Sequence, residues 1–235
     1  VPANKSPYYR RGENGIPATA RWQDYVAVTT ATKEWKDLEF WHRKVGFRAC
    51  DIISGNAADT GTLAHDLIRQ FLTPGSGFIF REPRCANTVT GKPTLANEIW
   101  GPALRACASF HKLWSAANLF MPLAMETVVW SDTYGYAGRQ DIFLEYNGAA
   151  TMFDYKTSKD FYPNQAGELA ARVFAYRECM PPPHPVRAAI VRLDKERGEA
   201  PQLWWLDENS GIYRKTKTGG LTHYFNRFKA QLLEW

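Results

Sequence analysis

The residues best equipped for chemistry lie in the run ATMFDYKTSK, where Asp154 and Lys156 stand two apart. In a strand, side chains alternate between faces, so this carboxylate and ammonium share one face while Phe153 and Tyr155 turn to the other. A second carboxylate, Asp141, sits in GYAGRQDIF among residues suited to a sheet, and Gly138 three positions upstream permits a close backbone approach. If the two strands pair, the carboxylates converge. Converging carboxylates repel unless they share a proton or a cation, and hard oxygen ligands suit Mg2+ or Mn2+. An isolated Asp-x-Lys has a plainer meaning as two solvated charges at a strand end.

The elements that must position these residues can be read along the chain. Residues 1–25, rich in Gly, Pro, Asn and Arg, show no apolar period and are expected to form an N-terminal arm ahead of a single domain spanning 26–235. Trp35, Leu38, Trp41 and Val45 are spaced for a helix over 31–46 that stops at Gly46. A second helix is expected over 59–72, capped by Asp59 or Thr60, with Leu63, Leu67, Ile68, Phe71 and Leu72 on its apolar side. Residues 73–96 mix turn formers with basic side chains and suggest a long loop, and a helix follows over 98–118. Three β-like runs come next, MPLAMETVVW, YGYAGRQDIFLEY and ATMFDYK, with joints near Asp132–Tyr134 and Asn147–Gly148 that suggest antiparallel hairpins. A helix over 164–178 ends at the breaker PPPHP; the strands VRAAIVRL and QLWWLD and a final helix bearing Leu221, Phe225, Phe228 and Leu232 complete the order. This order predicts an α/β fold with a central mixed sheet flanked by helices.

Composition bounds the function. Of 235 residues, 45% are hydrophobic and 14% aromatic, which excludes a disordered chain. A net charge of +5 and a pI near 9.0 favour a polyanionic partner or, equally, a solvated basic surface. Cys50, Cys85, Cys107 and Cys179 are scattered without zinc-binding spacing, as expected of reduced, mostly buried thiols. No run of about 20 apolar residues and no secretory core is visible, so an intracellular location is expected. Bacterial or phage-infected cytoplasm fits best, with an organelle address left open because the chain opens on Val1.

Taken together, Glu126, Gly138-x-x-Asp141 and Asp154-Tyr155-Lys156-Thr157-Ser158 resemble the RecB-like branch of the PD-(D/E)XK nucleases. Gly61-Thr62-Leu63-Ala64-His65 looks like that branch's Gly-x-x-x-His helix, and the resemblance covers about residues 26–180. Downstream, Glu168 and Arg172 stand where many relatives carry Gln and Tyr. The resemblance implies a restriction-endonuclease-like core. It also implies a Mg2+- or Mn2+-dependent deoxyribonuclease, expected to be an exonuclease on DNA ends or single strands in recombination, repair or phage replication. Asp141 and Asp154 would be central ligands, with His65 and the Tyr155 carbonyl as further ligands and Glu126 as a ligand or water-mediated partner. Lys156 would orient or deprotonate the attacking water and stabilise charge, the former favoured if burial lowers its pKa.

Each assignment has a structural counterpart. His65 would serve equally as a satisfied core histidine, and Glu126 as a strand-edge cap or ion-pair partner. Glu168 could contact water or metal, or pair with Arg172 one helical turn on; Gln165 competes for the polar role, and both suit solvated helix positions. Tyr9, Arg10, Arg11, Arg81 and Arg84, with Tyr8, Arg21, Trp22 and Lys92, could stack on bases and hold phosphates, or simply pack an arm and decorate a loop. Some relatives hold an iron–sulfur cluster through three cysteines near the C-terminus. This chain has none after Cys179, so no such cluster is expected. Two rivals to the exonuclease are a structure-specific endonuclease and a catalytically silent nucleic-acid-binding module of the same fold.

Overall fold

The computed structural model describes residues 8–32, 43–44, 46–73, 96–117, 122–207 and 220–233. The chain is mixed α/β with two mixed sheets. Strands β1 (Tyr8–Arg10), β2 (Asp24–Ala27), β4 (Val128–Ser131) and β5 (Tyr136–Arg139) form a four-stranded sheet in the order β1-β2-β5-β4. Strands β3 (Ala124–Met125), β6 (Ile142–Tyr146), β7 (Ala149–Lys156), β8 (Arg187–Arg192) and β9 (Gln202–Leu206) form a five-stranded sheet in that order.

The five-stranded sheet is the layer that positions the site. Asn147 and Gly148, both at positive φ (50° and 71°), make the tight turn that pairs β6 with β7 antiparallel. Such a turn requires residues tolerant of the left-handed region, which Asn-Gly supplies. Strand β8 joins β7 in parallel through a crossover helix, α4 (Pro163–Cys179). One sheet face packs on α4 and α5 (Leu221–Leu232), through Phe143, Met152, Ile190, Leu169 and Phe228. The other packs on the long helices α2 (Phe47–Leu72) and α3 (Ala96–Ala116), through Phe153, Tyr155, Ala189, Ile68 and Phe110. Strand β7 thus sends Met152 into one core and Phe153 and Tyr155 into the other, the alternation expected from its sequence. Burying each such side chain contributes about 1.5–3 kcal/mol. Among the described residues no helix is long and apolar enough to cross a membrane.

Several expectations are corrected. The helix read from Asp59 begins at Phe47, after Gly46 at φ 89°, so Asp59 and Thr60 are helix-interior rather than caps; Arg43 and Lys44 are helical and Gly46 is not, so the expected stop at Gly46 stands. Cys50 and Gly55 are buried upstream, and that packing extends the helix past a local capping signal that propensity alone leaves weak. The run 134–146 is two strands, broken at Gln140–Asp141, and 121–130 likewise divides at Glu126–Thr127. Residues 8–27 are built into the four-stranded sheet: Ile16, Ala20 and Tyr25 are buried in a third apolar cluster with Ala137. Ahead of the expected helix over 31–46, a single helical turn, α1 (Val28–Ala31), is observed; Trp35, Leu38, Trp41 and Val45 lie outside the described residues, as do Arg81, Arg84, Cys85, Lys92 and Asn118. Cys50 and Cys107 are buried free thiols and Cys179 is half-buried.

Candidate active site

The site lies where the two sheets part. Glu126 and Thr127 link β3, which pairs with β6, to β4, which pairs with β5; Gln140 and Asp141 make the matching break between β5 and β6. The ladder is bridged there by Glu126 N–H donating to the Asp141 carbonyl (3.0 Å) and Gln140 N–H donating to the Thr127 carbonyl (3.0 Å). Glu126 adopts φ 49°, uncommon for a side chain with a Cβ and of the kind that persists where surrounding structure enforces it. Because residue 140 has left the ladder, Tyr155 N–H at the end of β7 has no partner on β6 and donates instead to Asp141 Oδ2 at 2.7 Å. That bond fixes the carboxylate at the strand end.

Helix α2 runs past this break and brings His65 to it. Gly61, one turn before, sits against Thr157, where an added Cβ would meet Oγ1 at 3.4 Å, so the helix approaches the end of β7 closely. His65 Nδ1 lies 3.6 Å from Asp141 Oδ1 and 3.9 Å from Glu126 Oε1. Donor atoms of His65, Glu126 and Asp141 all fall within 4.8 Å of one another, and all three residues are half-buried. The opposite ring nitrogen, Nε2, is 3.2 Å from the Tyr155 carbonyl. With its proton on Nε2 and donated to that carbonyl, the imidazole turns the Nδ1 lone pair toward two carboxylates. Such an orienting contact is typical of metal-binding histidines. One nitrogen and two carboxylates facing one another repel unless a proton or a cation lies between them. This donor set therefore fits a divalent cation such as Mn2+ or Mg2+. Burial, then the neighbouring Asp141, raise the Glu126 pKa above the usual glutamate value, with His65 and Arg139 offsetting part of the rise.

Asp154 and Lys156 share one face of β7, as their spacing requires, but Asp154 lies outside that three-residue group. It is buried, with Oδ2 2.6 Å from Lys156 Nζ and Oδ1 2.6 Å from Arg172 Nη1. Glu168 completes a ring: its Oε2 is 3.6 Å from both Lys156 Nζ and Arg172 Nη2. Its Oε1 accepts from Asn164 Nδ2 and Thr32 Oγ1, each at 3.2 Å. Burial pulls the Lys156 pKa down, yet Asp154 and Glu168 more than offset it, so the net shift is upward. The expectation of a lysine lowered by burial is corrected: its flanking carboxylates hold the ammonium charged. The same balance raises Arg172, where burial is outweighed by Asp154 and then Glu168. Asp141 acts on both Glu126 and Lys156, tying the carboxylate group to the ring.

The helix residues are not solvated. Glu168 and Gln165 are buried, and Glu168 pairs with Arg172 one turn on. Gln165 is engaged locally, its Oε1 accepting from Tyr162 N–H (3.2 Å) and its Nε2 donating to Ser158 Oγ (3.1 Å), a capping arrangement ahead of Pro163. Arg10 and Arg11 are turned to their own hairpin, Arg10 toward Asp24 (3.5 Å) and Arg11 toward Gln23 (3.0 Å), while Tyr9 packs on the third apolar cluster. Trp22 donates its indole N–H to the Asp132 carbonyl (2.7 Å) with Arg21 over its ring. From sequence Arg172 enters only as a possible partner of Glu168, a pairing the structure contains, and Thr32 does not enter at all. The Glu168–Arg172 spacing carries a signal for the first, whereas Thr32 stands 136 residues from Glu168 and carries none.

No protein-family model matches the chain, and no curated protein matches it.

Proposed function

We propose that this chain is a divalent-metal-dependent nuclease that hydrolyses DNA phosphodiester bonds. The observation that carries the proposal is the convergence of His65, Glu126 and Asp141 within 4.8 Å at a break between two sheets. Beside it the charged Lys156 is held by Asp154. His65, Glu126 and Asp141 would hold the ion, with Asp154 and the Tyr155 carbonyl nearby. A bound Mg2+ or Mn2+ supplies Lewis-acid charge at a phosphoryl oxygen and acidifies water.

The chain's own groups do the rest. Lys156, kept protonated, presents positive charge to a scissile phosphate and orients water by donation rather than by taking its proton. The Tyr155 carbonyl sets the His65 ring, and Tyr155 N–H sets the Asp141 carboxylate. Prearranged donors of this kind contribute through electrostatics, and losing one costs about a hundredfold or more in rate. DNA ends or single strands are the proposed substrates, with exonucleolytic cutting.

A second reading has an observation of its own. Both Asp154 oxygens are taken by cations, which is also how a structural network would look in a silent nucleic-acid-binding module. End-labelled single-stranded, linear duplex and circular DNA incubated with Mg2+ or Mn2+ separates the cases. Cleavage of linear but not circular DNA, absent in Lys156→Ala, supports the exonuclease. Cutting of circles points to an endonuclease, and tight binding without cleavage points to the silent module.

A further inference from the structure

The ring formed by Asp154, Lys156, Glu168 and Arg172 alternates in sign and closes on itself, two carboxylates against two cations. Three of its members are more than nine-tenths buried: Asp154 is 1%, Glu168 6% and Arg172 6% exposed. Arg172 reaches Asp154 across Gly138, where an added Cβ would stand 3.3 Å from its Cγ and 3.0 Å from Val28 Cγ2. The guanidinium spans the two carboxylates, one amino group on each. Asn164 and Thr32 keep the remaining Glu168 oxygen occupied, so its Oε2 is the atom that Lys156 and Arg172 divide between them.

Charge balance gives this arrangement a purpose. Without the arginine, Lys156 alone would face two buried carboxylates. Already 2.6 Å from Asp154 Oδ2 and 3.6 Å from Glu168 Oε2, its ammonium would be drawn deeper between them, away from the strand end where Asp141 and His65 meet. A buried charge that loses its partner is costly, and the chain would relax in that direction.

We propose that Arg172 is a positioning residue: by sharing the charge of Asp154 and Glu168 with Lys156, it holds the ammonium at its 2.6 Å and 3.6 Å contacts with those carboxylates and keeps it from being drawn further from the His65–Glu126–Asp141 group. This rests on the nuclease reading for its catalytic consequence, but the charge balance stands independently of it. Arg172 touches none of the three cation-binding residues, so its work is on turnover and not on ion affinity. Glu168 matters here through the arginine it pairs with.

The test is a double-variant cycle on the full chain with Arg172→Met, Glu168→Gln and the two combined, plus Arg172→Lys. Each is read by unfolding midpoint, by Mn2+ affinity in calorimetry, and by kcat and KM on labelled DNA. Arg172→Met is expected to lower the midpoint and to reduce kcat by about tenfold to a hundredfold with KM little changed, the usual scale for residues that orient a catalytic group. Mn2+ affinity should stay within about threefold of the parent, since the ligand group is left intact. The combined variant, with one carboxylate and one cation removed, should recover much of both losses, and Arg172→Lys should fall between.

Additive losses in the cycle, or an unchanged kcat in Arg172→Met, overturn the proposal. Should Arg172→Met fail to fold, the combined variant and Arg172→Lys carry the comparison: recovery upholds the charge balance, and equal failure of the combined variant refutes it. Coupling in the midpoints of a chain that cleaves no DNA upholds the charge balance and removes the nuclease reading. Additive midpoints in a chain that cleaves DNA do the reverse.

Discussion

Replacing Glu126 by Gln should make the metal-free protein more stable and the Mn2+-loaded protein less so. Burial and the neighbouring Asp141 raise the Glu126 pKa in the folded chain above its ordinary value of 4.5. The folded state therefore holds that proton more tightly than the unfolded state does, and stability is lost as pH rises from the unfolded pKa through the folded one. Once ionised, the side chain opposes folding. Donor atoms of Glu126 and Asp141 lie within 4.8 Å. Two unit charges at that range repel by about 1 kcal/mol in water and about 3 kcal/mol at an effective dielectric constant near 20. Glu126 keeps 27% of its side chain exposed and has Arg139 at 3.9 Å, which returns part of the cost, so a neutral amide should recover about 1 kcal/mol. In a chain of this size that is roughly 2–4 °C in Tm.

Bound ion reverses the order. With Mn2+ at about a hundred times Kd, the parent gains about 2.7 kcal/mol, or roughly 5–10 °C. The variant, having lost a charged ligand, should show less than half that rise. Calorimetric melts at pH 7 in EDTA and across a Mn2+ titration measure both quantities. A variant that melts lower in EDTA and keeps the full Mn2+ shift would refute both the repulsion and the ligand assignment.

Other expectations follow from the same geometry. Lys156→Ala should reduce cleavage at least a hundredfold while leaving Mn2+ affinity in calorimetry nearly unchanged, because the ammonium contacts Asp154 and Glu168 and none of the proposed ligands. Asp141→Asn should weaken Mn2+ binding more than Asp154→Asn does, since only Asp141 belongs to the converging group; equal losses in titration would return Asp154 to a central ligand role. Gly138→Ala should destabilise by about 1–3 kcal/mol in urea melts and lower kcat, because the new methyl would stand 3.0 Å from Val28 Cγ2 and 3.3 Å from Arg172 Cγ. Phe228→Ala, at a fully buried position against Tyr136, should cost about 3–5 kcal/mol without altering Mn2+ affinity in the protein that remains folded.

Local rules made much of this protein legible in advance. Alternation along ATMFDYK placed Asp154 and Lys156 on one face and Phe153 and Tyr155 on the other. The Asn147–Gly148 pair marked the turn that pairs β6 with β7, and Pro163 and the PPPHP run bounded α4. Those signals depend on neighbours in sequence: side-chain period, turn chemistry and helix breakers. The start of α2 was not legible in this way, because a glycine at positive φ interrupts a helix on either side and does not say which side continues.

Tertiary structure alone decided how the candidate site is divided. Alternation shows which face a carboxylate occupies, but not which charges lie on the layer packed against it. Asp154 is engaged by an arginine from α4, and Asp141 by a histidine from α2 and a glutamate from the β3–β4 junction. That division follows from the break at Gln140–Asp141, inside a run that reads from sequence as one strand. The break arises because β5 and β6 join different sheets: β5 pairs with the distant β2 while β6 pairs with β7 across a tight turn, an arrangement that buries three separate apolar clusters.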